Sequence, residues 1–195
     1  MARRSDHSRE ELKEMALEAA KRIIETEGLR GLSARRVARE IGYTIGTIYN
    51  VFTNLDDLVD HLNGQTLDAL HEHCSHQNAQ ADAASRLRDL GRRFIEFAAA
   101  NPKLYVTLFE HQHPAGKHPP VWYYEKVNAL LQIVEASIQP VIPDAAPSRV
   151  EAEARVLWAG VHGIISLEGA DRIGGSRQAD DLVNLLVDNF LSAVR

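Results

Sequence analysis

An all-α fold, with a three-helix helix-turn-helix head ahead of a larger helical body, is predicted by three features of the 195-residue sequence. Apolar residues recur at three- and four-residue intervals along most of the chain, and no stretch shows the strict alternation of a half-buried strand. Ser8 with Glu11, and Asn54 with Asp57, are spaced as capping boxes at the starts of periodic runs. Residues 33–52 read as two short helices around a tight turn at Gly42. The expected organisation is a head over 1–53, a connecting helix over 54–80 and a larger helical body over 81–195.

The first helix spans residues 8–27, with Leu12, Met15, Ala16, Ala19, Ile23 and Ile24 as its inward stripe and Gly28 and Gly31 in its exit turn. Ser33 caps the second helix, where Val37, Ala38 and Ile41 share a face. A third piece opens near Thr44, and Ile45, Ile48 and Phe52 recur at packing distance along it. Thr44, Gly46, Thr47, Tyr49 and Asn50 are then left with little to bury. Hydroxyls, an amide and a phenol on one short outward face suit a nucleic acid: they donate to phosphate oxygens, Asn pairs with adenine in the major groove, and Thr and Ile methyls meet a thymine methyl. The glycine at 46 permits close approach.

The run from Gly31 to Phe52, followed by Asn54-Leu55-Asp56-Asp57-Leu58, resembles the N-terminal DNA-binding domain of the TetR family of transcription regulators. The resemblance implies base reading by Arg35 and Thr47, phosphate contacts from Ser33, Thr44, Tyr49 and Asn50, and an apolar base contact at Ile45. Arg36, Tyr43, Gly46 and Asn54 complete the expected DNA-facing set. Val51 and Leu55 stand where many members carry His and Lys, which removes two contacts near the DNA backbone.

Asn54 begins a helix expected to reach about Asn78, roughly 35 Å long, which links head to body. Ala79–Ala84 reads as a loop. Leu87, Leu90, Phe94 and Phe97 mark the next helix, Asn101-Pro102 interrupts it, and Leu104, Tyr105, Leu108 and Phe109 mark a short successor. His111 to Pro120 reads as a loop. Trp122, Val127, Leu130, Leu131, Val134 and Ile138 define a helix stopped by Pro140 and Pro143. From Val156 to Leu167 the chain is apolar on nearly every face, and Leu182, Leu185, Leu186 and Phe190 stripe the last helix. A four-helix bundle between two copies is therefore expected, with Val156, Gly160, Gly163, Leu167, Leu182, Leu186 and Phe190 at the interface. Gly174-Gly175-Ser176 reads as the turn before the last helix.

Trp158-Ala159-Gly160-Val161-His162-Gly163 is similar to the regulatory domain of a TetR subgroup named for a Trp, His and Gly signature, and Asn101-Pro102-Lys103-Leu104-Tyr105 resembles the helix junction lining such domains. Trp158 and His162, four residues apart, share a face on which a small apolar effector can rest. Leu104, Tyr105, Leu108, Phe109 and Trp122 are the other expected pocket walls, although residues of this kind are more often simply core. The resemblance implies a dimeric repressor that binds a palindromic double-stranded DNA operator and is released by that effector.

Composition bounds the alternatives. Residues 1–52 hold 10 Lys and Arg against 8 Asp and Glu, a net of +2, while the remainder carries −7, so acid sits away from the head. Arg3 and Arg4 read either as a basic arm or as a tail without contacts. No apolar run is long enough to span a bilayer, and the lone Cys74 cannot form an internal disulfide, so a cytoplasmic location is expected. His71, His73, Cys74 and His76 invite a metal-responsive variant of the same architecture, although residues 71 and 73 point about 200° apart on a helix. His111, His113 and His118 have no spacing that fixes a ligand geometry. Nothing marks a catalytic pair or a phosphate-cradling loop, so no cofactor is expected; a helical enzyme with a vestigial head is the rival from another class.

Overall fold

The computed structural model describes residues 7–76, 81–170, 172 and 178–194. Nine α-helices are found among them: α1 (Arg9–Glu27), α2 (Ala34–Glu40), α3 (Ile45–Val51), α4 (Leu55–Ser75), α5 (Ala83–Ala100), α6 (Pro102–Glu110), α7 (Val121–Ile138), α8 (Pro147–Gly169) and α9 (Ala179–Ala193). No strand occurs among the described residues. The expected basic arm at Arg3 and Arg4, the glycine turn at 174–176 and most of the loop after α4 lie outside them.

Helix ends follow their capping chemistry. Ser8 and Glu11 form the reciprocal box that opens α1, and the Ser33 hydroxyl accepts from Arg36 N to open α2. Asn54 Oδ1 accepts from Asp57 N at 2.8 Å, and Asp57 Oδ2 accepts from Thr53 N at 2.7 Å. Asp82 caps α5, which opens at Ala83, two residues before the expected start at Ser85. Between α2 and α3, Gly42 takes φ +75, a left-handed backbone that side chains disfavour, and Tyr43 N reaches back to Ala38 O at 2.8 Å.

The chain forms two compact units. The first comprises residues 1–66 and 103–120, the second 67–102 and 121–195. This division differs from the expected boundaries at 53 and 80, because α4 runs through both units and α6 returns to the first. Leu104 of α6 joins the buried cluster built from Ile23 and Ile24 of α1, Val37 of α2, Ile48 of α3 and Leu58 and Leu62 of α4. Thr107 Oγ1 back-bonds to Lys103 O, while Asn63 of α4 donates to Thr107 O at 3.5 Å.

In the second unit, α5 packs on α7, α8 and α9, and α8 packs on α7 and α9. Phe94, Val134, Ala154, Leu157, Val183 and Val187 are among its buried residues. The approach of α5 to α9 is close at Gly91, where a β-carbon would lie 2.6 Å from Val183 Cγ1. The far half of α4 is tied to this unit by Lys126 Nζ on Asp68 at 2.5 Å and by Arg93 Nη1 donating to His73 O at 3.2 Å. Cys74 is fully buried there.

Candidate DNA-reading face and effector cavity

On α3, burial is confined to Ile48, with Phe52 just beyond the helix. Thr44, Ile45, Gly46, Tyr49 and Asn50 are exposed, and Thr47 is half-buried. Ile45 at 42% and Tyr49 at 49% are large apolar side chains left to solvent on a seven-residue helix, which burial alone does not account for. Thr44 Oγ1 and Thr47 Oγ1 lie 3.2 Å apart, so one hydroxyl steers the other. Arg35 is exposed on the neighbouring α2.

Other members of the expected DNA-facing set have partners of their own. Arg36 lays both guanidinium nitrogens on the two carboxylate oxygens of Glu27. That bond holds the Glu27 carboxyl below its usual range and raises Arg36, so this fork ties α2 to α1 and is not an open donor. Tyr43 meets His7 Nδ1 through its hydroxyl at 2.6 Å. Ser33 and Asn54 carry their capping bonds. A cationic contact that sequence reasoning passed over is Arg9, which donates to Val51 O at the end of α3 at 3.4 Å; a lone Arg in a capping turn gives no signal of this reach.

In the second unit, Leu87, Leu90, Gly91 and Phe94 of α5, Val134 of α7, Leu157, Trp158 and Val161 of α8 and Val187 of α9 line a half-open apolar cavity. Its free space is about 30 Å³, room for one or two water molecules. Of the expected walls only Trp158 lines it. The His162 ring stacks on Trp158 with centroids 5.8 Å apart and planes 13° from parallel, and burial pushes its imidazole below the ordinary value. Trp122 is half-buried on α7, its ring 6.0 Å from that of Tyr123. Leu104, Tyr105, Leu108 and Phe109 belong to the first unit, where Leu104 and Tyr105 are buried and Phe109 is exposed. The sequence placed them in the body because α6 follows α5 directly; the Asn101-Pro102 break turns the chain back instead. Gly91 and Val187 line the cavity without any pattern in the sequence that sets them apart from ordinary helix packing.

The expected interface residues also divide. Gly160 is covered by its own chain, since a β-carbon there would lie 2.6 Å from Leu186 Cδ2, and Phe190 is buried within the unit. Leu182, Leu186 and Gly163 are half-buried, and an added β-carbon at Gly163 would meet nothing within 4 Å. Val156 at 63% and Leu167 at 45% remain open, as does Leu185 at 44%.

Residues 16–62 match the family model described as bacterial regulatory proteins, tetR family, and residues 87–190 match that of the tetracyclin repressor-like C-terminal domain. The chain belongs to the TetR family. The family model matched by residues 16–62 is one of bacterial regulatory proteins. The fold is shared with a protein of unknown function from Rhodococcus sp. RHA1, 22% identical over 98% of both chains with a TM-score of 0.77. It is also shared with a tetR-family transcriptional regulator from Streptomyces coelicolor, 18% identical over 96% of this chain and 82% of that one, TM-score 0.65. The fatty acid degradation regulator FadR from Bacillus halodurans is 16% identical over 92% and 94%, TM-score 0.65. No match was found among curated proteins. Among the described residues, no helix of this TetR-family chain is long and apolar enough to cross a membrane.

Proposed function

We propose that this TetR-family regulator is a cytoplasmic repressor that binds a palindromic DNA operator as a homodimer and is released by a small, mostly apolar effector. The observation that carries the DNA half is the exposed row Thr44, Ile45, Tyr49 and Asn50 on a helix whose opposite side is core. Arg35 and Thr47 discriminate bases; Ser33, Thr44, Tyr49 and Asn50 fix the register on phosphates. Two such helices about one helical turn apart account for specificity that one seven-residue helix lacks. Val156, Leu167 and Leu185 supply the apolar surface for pairing through α8 and α9.

The effector enters the cavity beside Trp158, with the neutral His162 imidazole as its polar neighbour. With only about 30 Å³ free, a ligand fits after the surrounding helices separate, so it stabilises an expanded second unit over the closed one. Because α4 continues from that unit into the first, the expansion alters how the paired reading helices are presented. The reading is tested by selecting randomised duplex DNA against the purified protein at fixed salt. Recovery of an inverted repeat with half-sites one turn apart supports it, and background binding that only salt modulates defeats it.

A further inference from the structure

We propose that Asp60, His111 and His113 form a binding site for a divalent first-row metal ion, zinc being the reference case. All three lie within the first unit, the aspartate on α4 and the histidines just past the end of α6. One ligand atom from each lies within 4.8 Å of the other two, the one such grouping of potential ligands among the described residues. Their side chains are only 7%, 10% and 12% exposed.

Two features separate this cluster from an ordinary surface ion pair. First, His111 Nε2 is buried and finds no hydrogen-bond partner among the described residues, its nearest carboxylate oxygen, Asp56 Oδ1, being 3.6 Å away. A buried imidazole nitrogen left in that state is unfavourable, and a cation satisfies its lone pair. Second, His113 Nε2 already lies 3.0 Å from Asp60 Oδ2. Tetrahedral zinc with bonds of about 2.0–2.1 Å sets its ligand atoms roughly 3.3 Å apart, so an ion replaces the proton between these two with little movement. Asp56, one turn before Asp60, offers a fourth oxygen beside His111. Two imidazoles with one or two carboxylates favour Zn(II), Co(II), Ni(II) or Fe(II) over calcium or magnesium. The histidines are spaced two apart in a segment without helical phase, which is why spacing alone assigned them no geometry. Packing of the end of α6 against α4 supplies it.

The histidine cluster on α4 differs in convergence: His73 Nε2 is likewise buried without a hydrogen-bond partner, but among the described residues no three ligand atoms there come within 4.8 Å of one another. His71 and Ser75 share contacts, His76 Nδ1 meets Glu72 O at 2.7 Å, His73 faces Glu96, and Cys74 is buried with its thiol pushed up to about 12 by desolvation.

The test is competition between a chromophoric chelator and the metal-stripped full-length chain for zinc. One zinc per chain is expected, with affinity lowered at least about tenfold by Asp60→Asn or His113→Ala and unchanged by the double substitution His71→Ala/His76→Ala. Far-UV circular dichroism checks that each variant stays helical. Should a variant not fold, cobalt added to the wild-type chain decides: intense visible d–d absorption of four- or five-coordinate Co(II) supports the site, and only the weak colour of hexaaqua cobalt overturns it. Retained zinc affinity in folded Asp60→Asn and His113→Ala, or affinity lost in the His71/His76 double variant instead, also overturns it.

Discussion

Thr47 is half-buried and coupled to the Thr44 hydroxyl, while Tyr49 projects freely from the same helix. The two therefore respond differently to truncation. Thr47→Ala is expected to change the ratio of affinities among operator variants by about tenfold, within the 1–3 kcal/mol range of base discrimination, whereas Tyr49→Phe weakens all variants alike by about 1 kcal/mol. Equal losses for both across a panel of operators would remove the assigned roles. A second residue-scale outcome concerns His162. Burial holds its folded-state value below the ordinary 6.5, so between those two values the unfolded chain binds more protons and stability rises with pH; above 6.5 the contribution is flat. Urea midpoints of His162→Gln should thus show a shallower loss on acidification from pH 7 to 5 than the wild type, and parallel curves would contradict the assignment.

At the scale of helices, α5 meets α9 in a tight seam. Gly91→Ala places a β-carbon 2.6 Å from Val183 Cγ1, a stiff β-branched side chain in a buried position. Overpacking of about 1–3 kcal/mol exceeds the helix propensity gained, about 1 kcal/mol, so a lower thermal midpoint is expected. Gly163→Ala has open space within its own chain and should raise the midpoint by that propensity alone at low protein concentration. A loss that grows as concentration rises would mean that a second copy packs on Gly163.

The same contrast explains what could be read before the fold was known. Helix existence, the capping boxes at Ser8 and Asn54 and the turn at Gly42 depend on neighbours within a few residues, so periodicity and caps disclosed them. The exposed face of α3 was legible because Ile48 and Phe52 account for its buried side. The return of α6 to the first unit, the Glu27 clasp on Arg36, the Leu186 cover over Gly160 and the meeting of His111 and His113 with Asp60 are contacts between distant segments. No local pattern specifies them.

For the molecule as a whole, the proposed operator recognition rests on pairing. Val156 is 63% exposed, so Val156→Arg leaves the single chain's core intact while placing charge in the proposed interface. Sedimentation should then report a monomer that retains its helical content and loses specific operator affinity. A stable dimer in that variant would move pairing to another surface.

The buried Cys74 adds an observable to this picture. As the sole cysteine, sealed in the second unit with a thiol that ionises only near 12, it is inert toward iodoacetamide at pH 8 until the surrounding helices part. Its modification rate is therefore an intrinsic clock for local opening of that unit, on the timescale hydrogen exchange samples, without any introduced label. Compounds that lodge beside Trp158 would change the clock's speed whatever their structure, which turns one unremarkable side chain into a screen for an effector of unknown identity.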